Sequence, residues 1–336
     1  MEMDATATYD RASLIKAIAK YGKSNDRIAL WQLVNTFIPY AALVALMIVM
    51  VRQNIPYWLT LIVGVIAGLF LIRIFIFFHD ACHGSFFSTR KANTIIGTIT
   101  GILTFTPYFN WRHSHAIHHS TAGNLDKRGT GDVWTMTVEE FKAANKFQRF
   151  IYRFIRHPLV MFGLGPLIMF LIVHRFAEKY STKRDRQSVV ITNLAILAIL
   201  ILSYFTIGIG TYIKVQLPIT YFSGILGLWL FYVQHQYEDV YWVHDDEWDR
   251  IRAAIEGASY YKLPKVLQWF SGSIGFHHIH HLRAGIPNYN LQKCYDAIPE
   301  VQKVVPITLR SSVRSLWMHL IDESTGRMVS FRDAMQ

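Results

Sequence analysis

Four stretches of the chain are nearly unbroken runs of apolar residues, at about 31–51, 55–78, 189–210 and 217–233. A membrane-crossing helix needs about 20 such residues, so the first three meet that length and the fourth sits at its short end. Two further apolar stretches, 94–108 and 159–173, are shorter and broken by Gly97, Gly101 and Pro107 and by Gly163, Gly165 and Pro166. Both are expected to lie in the membrane interface or to re-enter without crossing. No internal repeat or long linker is visible, so residues 1–336 read as one domain.

Composition agrees with this pattern. A chain of 336 residues that is 52% hydrophobic, with mean hydropathy +0.22, is too apolar for an ordinary soluble enzyme of its size. The net charge of +11 could indicate nucleic acid, but the basic residues flank the apolar runs and no nucleic-acid motif accompanies them. They fit a positive-inside bias and attraction to anionic headgroups instead. The two cysteines, Cys82 and Cys294, supply neither a disulfide framework nor a CxxC zinc site, which suits a reducing cytoplasmic face. Before the first apolar run, basic residues alternate with Asp10 and Asp26, and no small-residue cleavage site follows it. The run is expected to remain as an anchor, with no removable signal peptide.

The polar positions carry the chemistry. Ten of the fifteen histidines fall in three clusters beside apolar sequence: His79/His83 in HDACH, His113/His115/His118/His119 in HSHAIHH, and His277/His278/His280/His281 in HHIHH. Imidazole is the commonest neutral metal ligand, and helical residues three and four apart share a face. HxxxH and two HxxHH patterns therefore offer eight nitrogens to a common centre, enough for two ions with open positions, and compatible with iron. Zinc fits less well, since a catalytic zinc needs only three protein ligands and HExxH is absent. His235, where the fourth run ends, matches the expected depth of His79 and is a ninth candidate. His113 and His278 fall outside the HxxHH register and are read as groups beside the ligands or facing substrate. Asp80, Asp126, Asp132, Glu238 and Asp239 are candidates to orient the ligand imidazoles through their second N–H. The pairs Tyr260/Tyr261 and Trp269/Phe270 read as interfacial anchors, with lining of a substrate entrance as the alternative.

One metal centre requires all three clusters on one side of the membrane, so an even number of crossings must separate them. Three apolar stretches lie between the second and third clusters, and 159–173 is the one expected not to cross. Arg149, Arg153 and Arg156 precede it and Arg175, Lys179, Lys183, Arg184 and Arg186 follow it, which places both its ends on the cytoplasmic side. The expected architecture is an all-α integral membrane protein: four transmembrane helices, short outer linkers at 52–54 and 211–216, two non-crossing interfacial segments, and a cytoplasmic histidine-rich cap with both termini on that side. The region from Asp296 onward carries no readable role.

The motifs HDACHGSF, HSHAIHH and HHIHH, with GNLDKRGTGDVW after the second and QHQYED before the third, resemble the membrane-bound fatty acid desaturases, and most nearly the bacterial acyl-lipid ones. The resemblance implies a non-haem di-iron cap that activates O2, takes two electrons from an external donor and removes two hydrogens from adjacent methylenes of an acyl chain, leaving a cis double bond. It also implies residence in a bacterial inner membrane. No dinucleotide fingerprint or haem-attachment CxxCH occurs, so electrons are expected from a separate carrier such as ferredoxin. A histidine-box hydroxylase of alkanes, lipids or carotenoids is the alternative within the same chemistry. A metal transporter would place histidines inside the apolar runs, whereas these lie at run ends and in loops.

Overall fold

The computed structural model describes residues 11–335; the ends of the chain assigned above to the cytoplasmic side lie outside them. A short helix α1 (Arg11–Ala19) precedes α2 (Asp26–Arg52), which starts where the Asn25 side chain accepts hydrogen bonds from the Arg27 and Ile28 amides. Gln53 to Pro56 turn the chain into α3 (Tyr57–His83), which ends on left-handed Gly84. Helices α4 (Arg90–Leu103) and α5 (Tyr108–Thr121) follow, joined by a turn in which Phe105 has φ 55°. At 14 residues, α4 reaches only about 21 Å. It packs on α3, and at Gly97 an added Cβ would stand 2.2 Å from the Tyr108 ring.

Two short capped helices, α6 (Val138–Ala143) and α7 (Lys146–Arg156), lead into a single π-helical stretch, Leu159–Leu164, and α8 (Gly165–Leu171). The segment Leu159–Arg175 bends by 60° from α7, as a broken span or a re-entrant loop does. It seats on the bundle because Gly224 lacks a side chain: a Cβ there would lie 2.7 Å from Pro166.

Helices α9 (Lys183–Thr206) and α10 (Ile209–His235) complete the long elements, α9 opening with a Thr182/Asp185 capping box. The chain breaks between them at Ile207 and at Gly208, whose φ is 83°. The expected linker 211–216 is thus corrected: it forms the first turns of α10, because the left-handed turn falls on glycine and the polar residues are accommodated on the helix, with Gln216 donating to Thr220.

Among the described residues four helices, α2, α3, α9 and α10, are long and apolar enough to cross a membrane. Their outward faces carry Trp31, Ile38, Trp58 and Phe205, all exposed. At 27 residues α3 and α10 are about 40 Å long, some 10 Å more than a hydrocarbon core. Their C-terminal turns, bearing His79, His83 and His235, meet at one common end of the bundle.

The remaining helices are short: α11 (Arg250–Glu256), α12 (Lys265–Phe270), α13 (His277–Leu282), α14 (Asn288–Ala297) and α15 (Leu309–Ser312). The fold is mostly helical, but the all-α expectation needs one amendment. Strands β1 (Met136–Thr137), β4 (Leu320–Asp322) and β5 (Arg327–Val329) form one sheet, and β2 (Tyr260–Lys262) pairs in parallel with β3 (Pro306–Thr308). At two or three residues each, they are too short to show an alternating pattern in sequence. They seat the C-terminal region on the cap, with Leu320, Ile321 and Met328 buried. Tyr260 and Tyr261 are core residues of β2 and not interfacial anchors. Trp269 and Phe270 pack on Phe70 of α3, and the buried Arg73 donates to the Trp269 carbonyl.

Candidate metal centre

Helix α3 delivers His79 and His83 from its last two turns, α5 delivers His115, His118 and His119, α13 delivers His277, His280 and His281, and α10 ends on His235. These nine imidazoles form one largely buried chamber with two foci. His79, His83, His115, His119 and His280 each present a ring nitrogen within 4.8 Å of the others. His118, His235 and His281 do the same at the second focus, and His277 joins them with its Nε2 2.9 Å from that of His235 and 3.1 Å from that of His281.

Each HxxHH box therefore serves both foci, where the spacing had suggested one point per box. On α5 and on α13 the i,i+4 pair (His115/His119 and His277/His281) stays together, while the third histidine, one residue before the end of the pair, points about 100° away. The boxes interlock across the chain: His280 Nε2 lies 3.0 Å from His119 Nε2.

The nitrogen geometry suits shared cations. His119 Nε2 faces both His115 at 3.1 Å and His280 at 3.0 Å, and His277 Nε2 faces both His235 and His281. A neutral ring nitrogen has one hydrogen or one lone pair, so ordinary hydrogen bonds serve two such neighbours poorly. Two nitrogens about 2.1 Å from one metal and at a right angle are about 3.0 Å apart, the spacing seen here. His83 Nε2 and His118 Nε2 are buried with no hydrogen-bond partner. Burial, reinforced by neighbouring imidazoles, holds His115, His119, His277, His280 and His281 well below the usual histidine range. They are neutral at physiological pH, the form that binds metal.

Three ligand candidates have their second nitrogen oriented. His118 Nδ1 meets Asp132 Oδ1 at 2.5 Å, His235 Nδ1 meets the Gly257 carbonyl at 3.2 Å, and His79 Nδ1 lies 3.4 Å from Asp80 Oδ1. The other oxygen of Asp80 accepts from the amide and side chain of Asn288 at 2.7 and 2.9 Å. The remaining carboxylate candidates point elsewhere. Asp126 pairs with His244, Asp239 pairs with Arg327 at the surface, and Glu238 offers its backbone carbonyl to Met328. His113 pairs with Asp185, and the fully buried His278 bonds the Val301 carbonyl. Neither is at a focus. Contacts with no local signal in the sequence complete the walls, among them Trp111 stacked on His115 at 4.2 Å and Asn288 on Asp80.

The model of the fatty acid desaturase family matches residues 56–311, which span every one of these histidines. The chain belongs to the fatty acid desaturase family. It is therefore an oxidoreductase of lipid metabolism. It is 45% identical to a fatty acid desaturase of Bacillus subtilis (strain 168) over 98% of this chain and 93% of that protein. An sn-1 oleoyl-lipid 12-desaturase of Picosynechococcus sp. is 27% identical over 73% of this chain and 70% of its own length. An sn-2 acyl-lipid omega-3 desaturase (ferredoxin) of Arabidopsis thaliana is 26% identical over 73% of this chain and 55% of its own length.

Proposed function

We propose that this desaturase acts on acyl chains carried by membrane lipids, introducing a cis double bond at a di-iron centre. The carrying observation is the convergence of nine imidazoles from four separate chain segments on two adjacent foci, at the common end of α3 and α10. His79, His83, His115, His119 and His280 would hold one iron, and His118, His235, His277 and His281 the other. With O2 as co-substrate, irons bound there supply the oxidising power to take two hydrogens from adjacent unactivated methylenes, with two electrons from an external donor.

The protein's own part is positional. Asp132 and the Gly257 carbonyl fix the rings of His118 and His235, and so aim their Nε2 atoms. The apolar walls under the chamber, including Phe77 and Phe78 of α3, keep water from its membrane side. A methylene carries no group to recognise, so the double-bond position follows from where the chain is held. The acyl-lipid substrate and a ferredoxin-like donor are supported by the names of the relatives above. The basic flanks of the apolar helices support a bacterial inner membrane with the histidine end cytoplasmic, and a non-crossing Leu159–Arg175 keeps all boxes on that side.

The test is expression in a host without desaturases. Gas chromatography of its lipids is expected to show new monounsaturated acyl chains, and the purified protein about two irons per chain. Hydroxylated acyl products would overturn the reaction, and zinc alone would overturn the cofactor.

A further inference from the structure

Arg156, the last residue of α7, is 1% exposed and the largest fully buried side chain among the described residues. Its hydrogen-bond acceptors are all neutral. Nη2 donates to the Gln236 side-chain oxygen at 2.8 Å, to the Met318 carbonyl at 2.7 Å and to the Tyr232 hydroxyl at 3.3 Å, while Nη1 reaches the Trp134 carbonyl at 3.5 Å and Nε is buried without a partner. Burying a guanidinium without a carboxylate carries a large desolvation penalty. Such a group persists where its fork joins elements that would otherwise part.

The joined elements matter because Gln236 directly follows His235 and Met318 belongs to the C-terminal region. The same hub has further ties. The Tyr232 hydroxyl donates to the Ser315 carbonyl at 2.9 Å, and Gln236 Nε2 donates to Thr135 at 3.3 Å, three residues from the Asp132 that holds His118. Beside it the Tyr152 hydroxyl donates to the His319 carbonyl, and β4 pairs with β1.

We propose that Arg156 is a positioning residue that locks a C-terminal strap, residues 306–335, onto the last turn of α10 and so holds the second focus (His118, His235, His277 and His281) in its metal-binding geometry. The strap, which carries no ligand candidate, is in this view part of the metal site. The first focus is built on α3, α5 and one residue of α13 and does not touch the hub, so the effect of losing the lock is selective. This inference rests on the proposed metal role of the nine histidines.

The experiment compares the wild type with Arg156→Gln, Arg156→Lys and Tyr232→Phe in detergent, reading iron per chain and hydrogen exchange of residues 313–322. Arg156→Gln is expected to lower iron from about two to about one per chain and to raise exchange of the strap at least tenfold. Arg156→Lys, which keeps the charge and one donor arm, is expected to restore much of both, and Tyr232→Phe to move both in the direction of Arg156→Gln by a smaller step. Full iron and a protected strap in Arg156→Gln would overturn the proposal. Should Arg156→Gln not fold, unchanged iron and exchange in Tyr232→Phe would overturn it instead. A wild type without iron would overturn the metal reading, and exchange of the strap would still test the lock.

Discussion

His280 Nε2 lies 3.0 Å from His119 Nε2, although 161 residues separate them in the chain. His118, the immediate neighbour of His119, faces the other focus beside His235 and His281. Adjacent residues on α5 thus belong to different foci. His119→Ala and His118→Ala are each expected to leave about one iron per chain, lost from different foci, with activity down more than 100-fold. Iron analysis and Mössbauer spectra of the two variants are expected to show complementary remaining sites; identical spectra would contradict the partition.

His113 and His278 sit in the same clusters but pair with Asp185 and with the Val301 carbonyl. His113→Ala is expected to keep two irons, with turnover within about threefold of wild type. His278→Ala leaves a cavity and a buried carbonyl without a donor, so it is expected to lower stability by about 1–3 kcal/mol while iron stoichiometry holds. Loss of iron without loss of stability in either variant would add that residue to the ligand set.

Asp132 fixes His118 through a 2.5 Å contact, whereas Asp126 and Asp239 engage groups outside the chamber. Asp132→Asn is expected to weaken iron binding or activity by about 10–100-fold, the usual loss when an orienting carboxylate is removed. Asp239→Asn is expected to change neither. Iron retention during graded chelation distinguishes the two.

His244 bridges Asp126 at 2.9 Å and Glu323 at 3.0 Å, and these hydrogen bonds, Glu323 first, raise its pKa to about 9. A raised folded-state pKa gives stability that is complete below the ordinary histidine value, about 6.5, and is lost as pH rises through about 9. Asp126 and Glu323 are lowered, so their share is present above the ordinary carboxylate range and is lost in acid. The melting-temperature gap between wild type and His244→Asn is expected to be greatest between about pH 5 and 6.5 and to vanish above about pH 9. A gap unchanged at pH 10 would contradict the assignment.

Gly97 lies against Tyr108, whose hydroxyl donates to the Ala81 carbonyl on the helix bearing His79 and His83. An added methyl would overlap the ring, so Gly97→Ala is expected to cost about 1–3 kcal/mol. Gly163 has open space around its α-carbon, and Gly163→Ala is expected to be neutral or slightly stabilising. Thermal denaturation of the pair checks both.

Much of the architecture was legible in the chain because hydrophobicity and helical period are local properties. The length of the four apolar runs and the brevity of 94–108 and 159–173 follow from counting residues against membrane thickness. The nine candidate imidazoles could be named from HxxxH, two HxxHH and the position of His235, and all nine meet in the structure. The 211–216 linker failed because a left-handed glycine, Gly208, outweighs a few polar residues in ending a helix.

Relations between distant segments were left to the tertiary structure. The apolar runs and histidine spacing determine that this is a multi-histidine protein with four membrane-length helices. Only packing decides that each HxxHH box divides between two foci, because that depends on the angle at which α5 meets α13. Only packing selects Asp132 over Asp126, Glu238 and Asp239, since all four stand near a box in sequence and one points into the chamber. The same holds for the strap, whose contact through Arg156 joins residues 162 positions apart. Local pattern sets which side chains are offered; the direction each one points is set by neighbours that the chain brings back from far away.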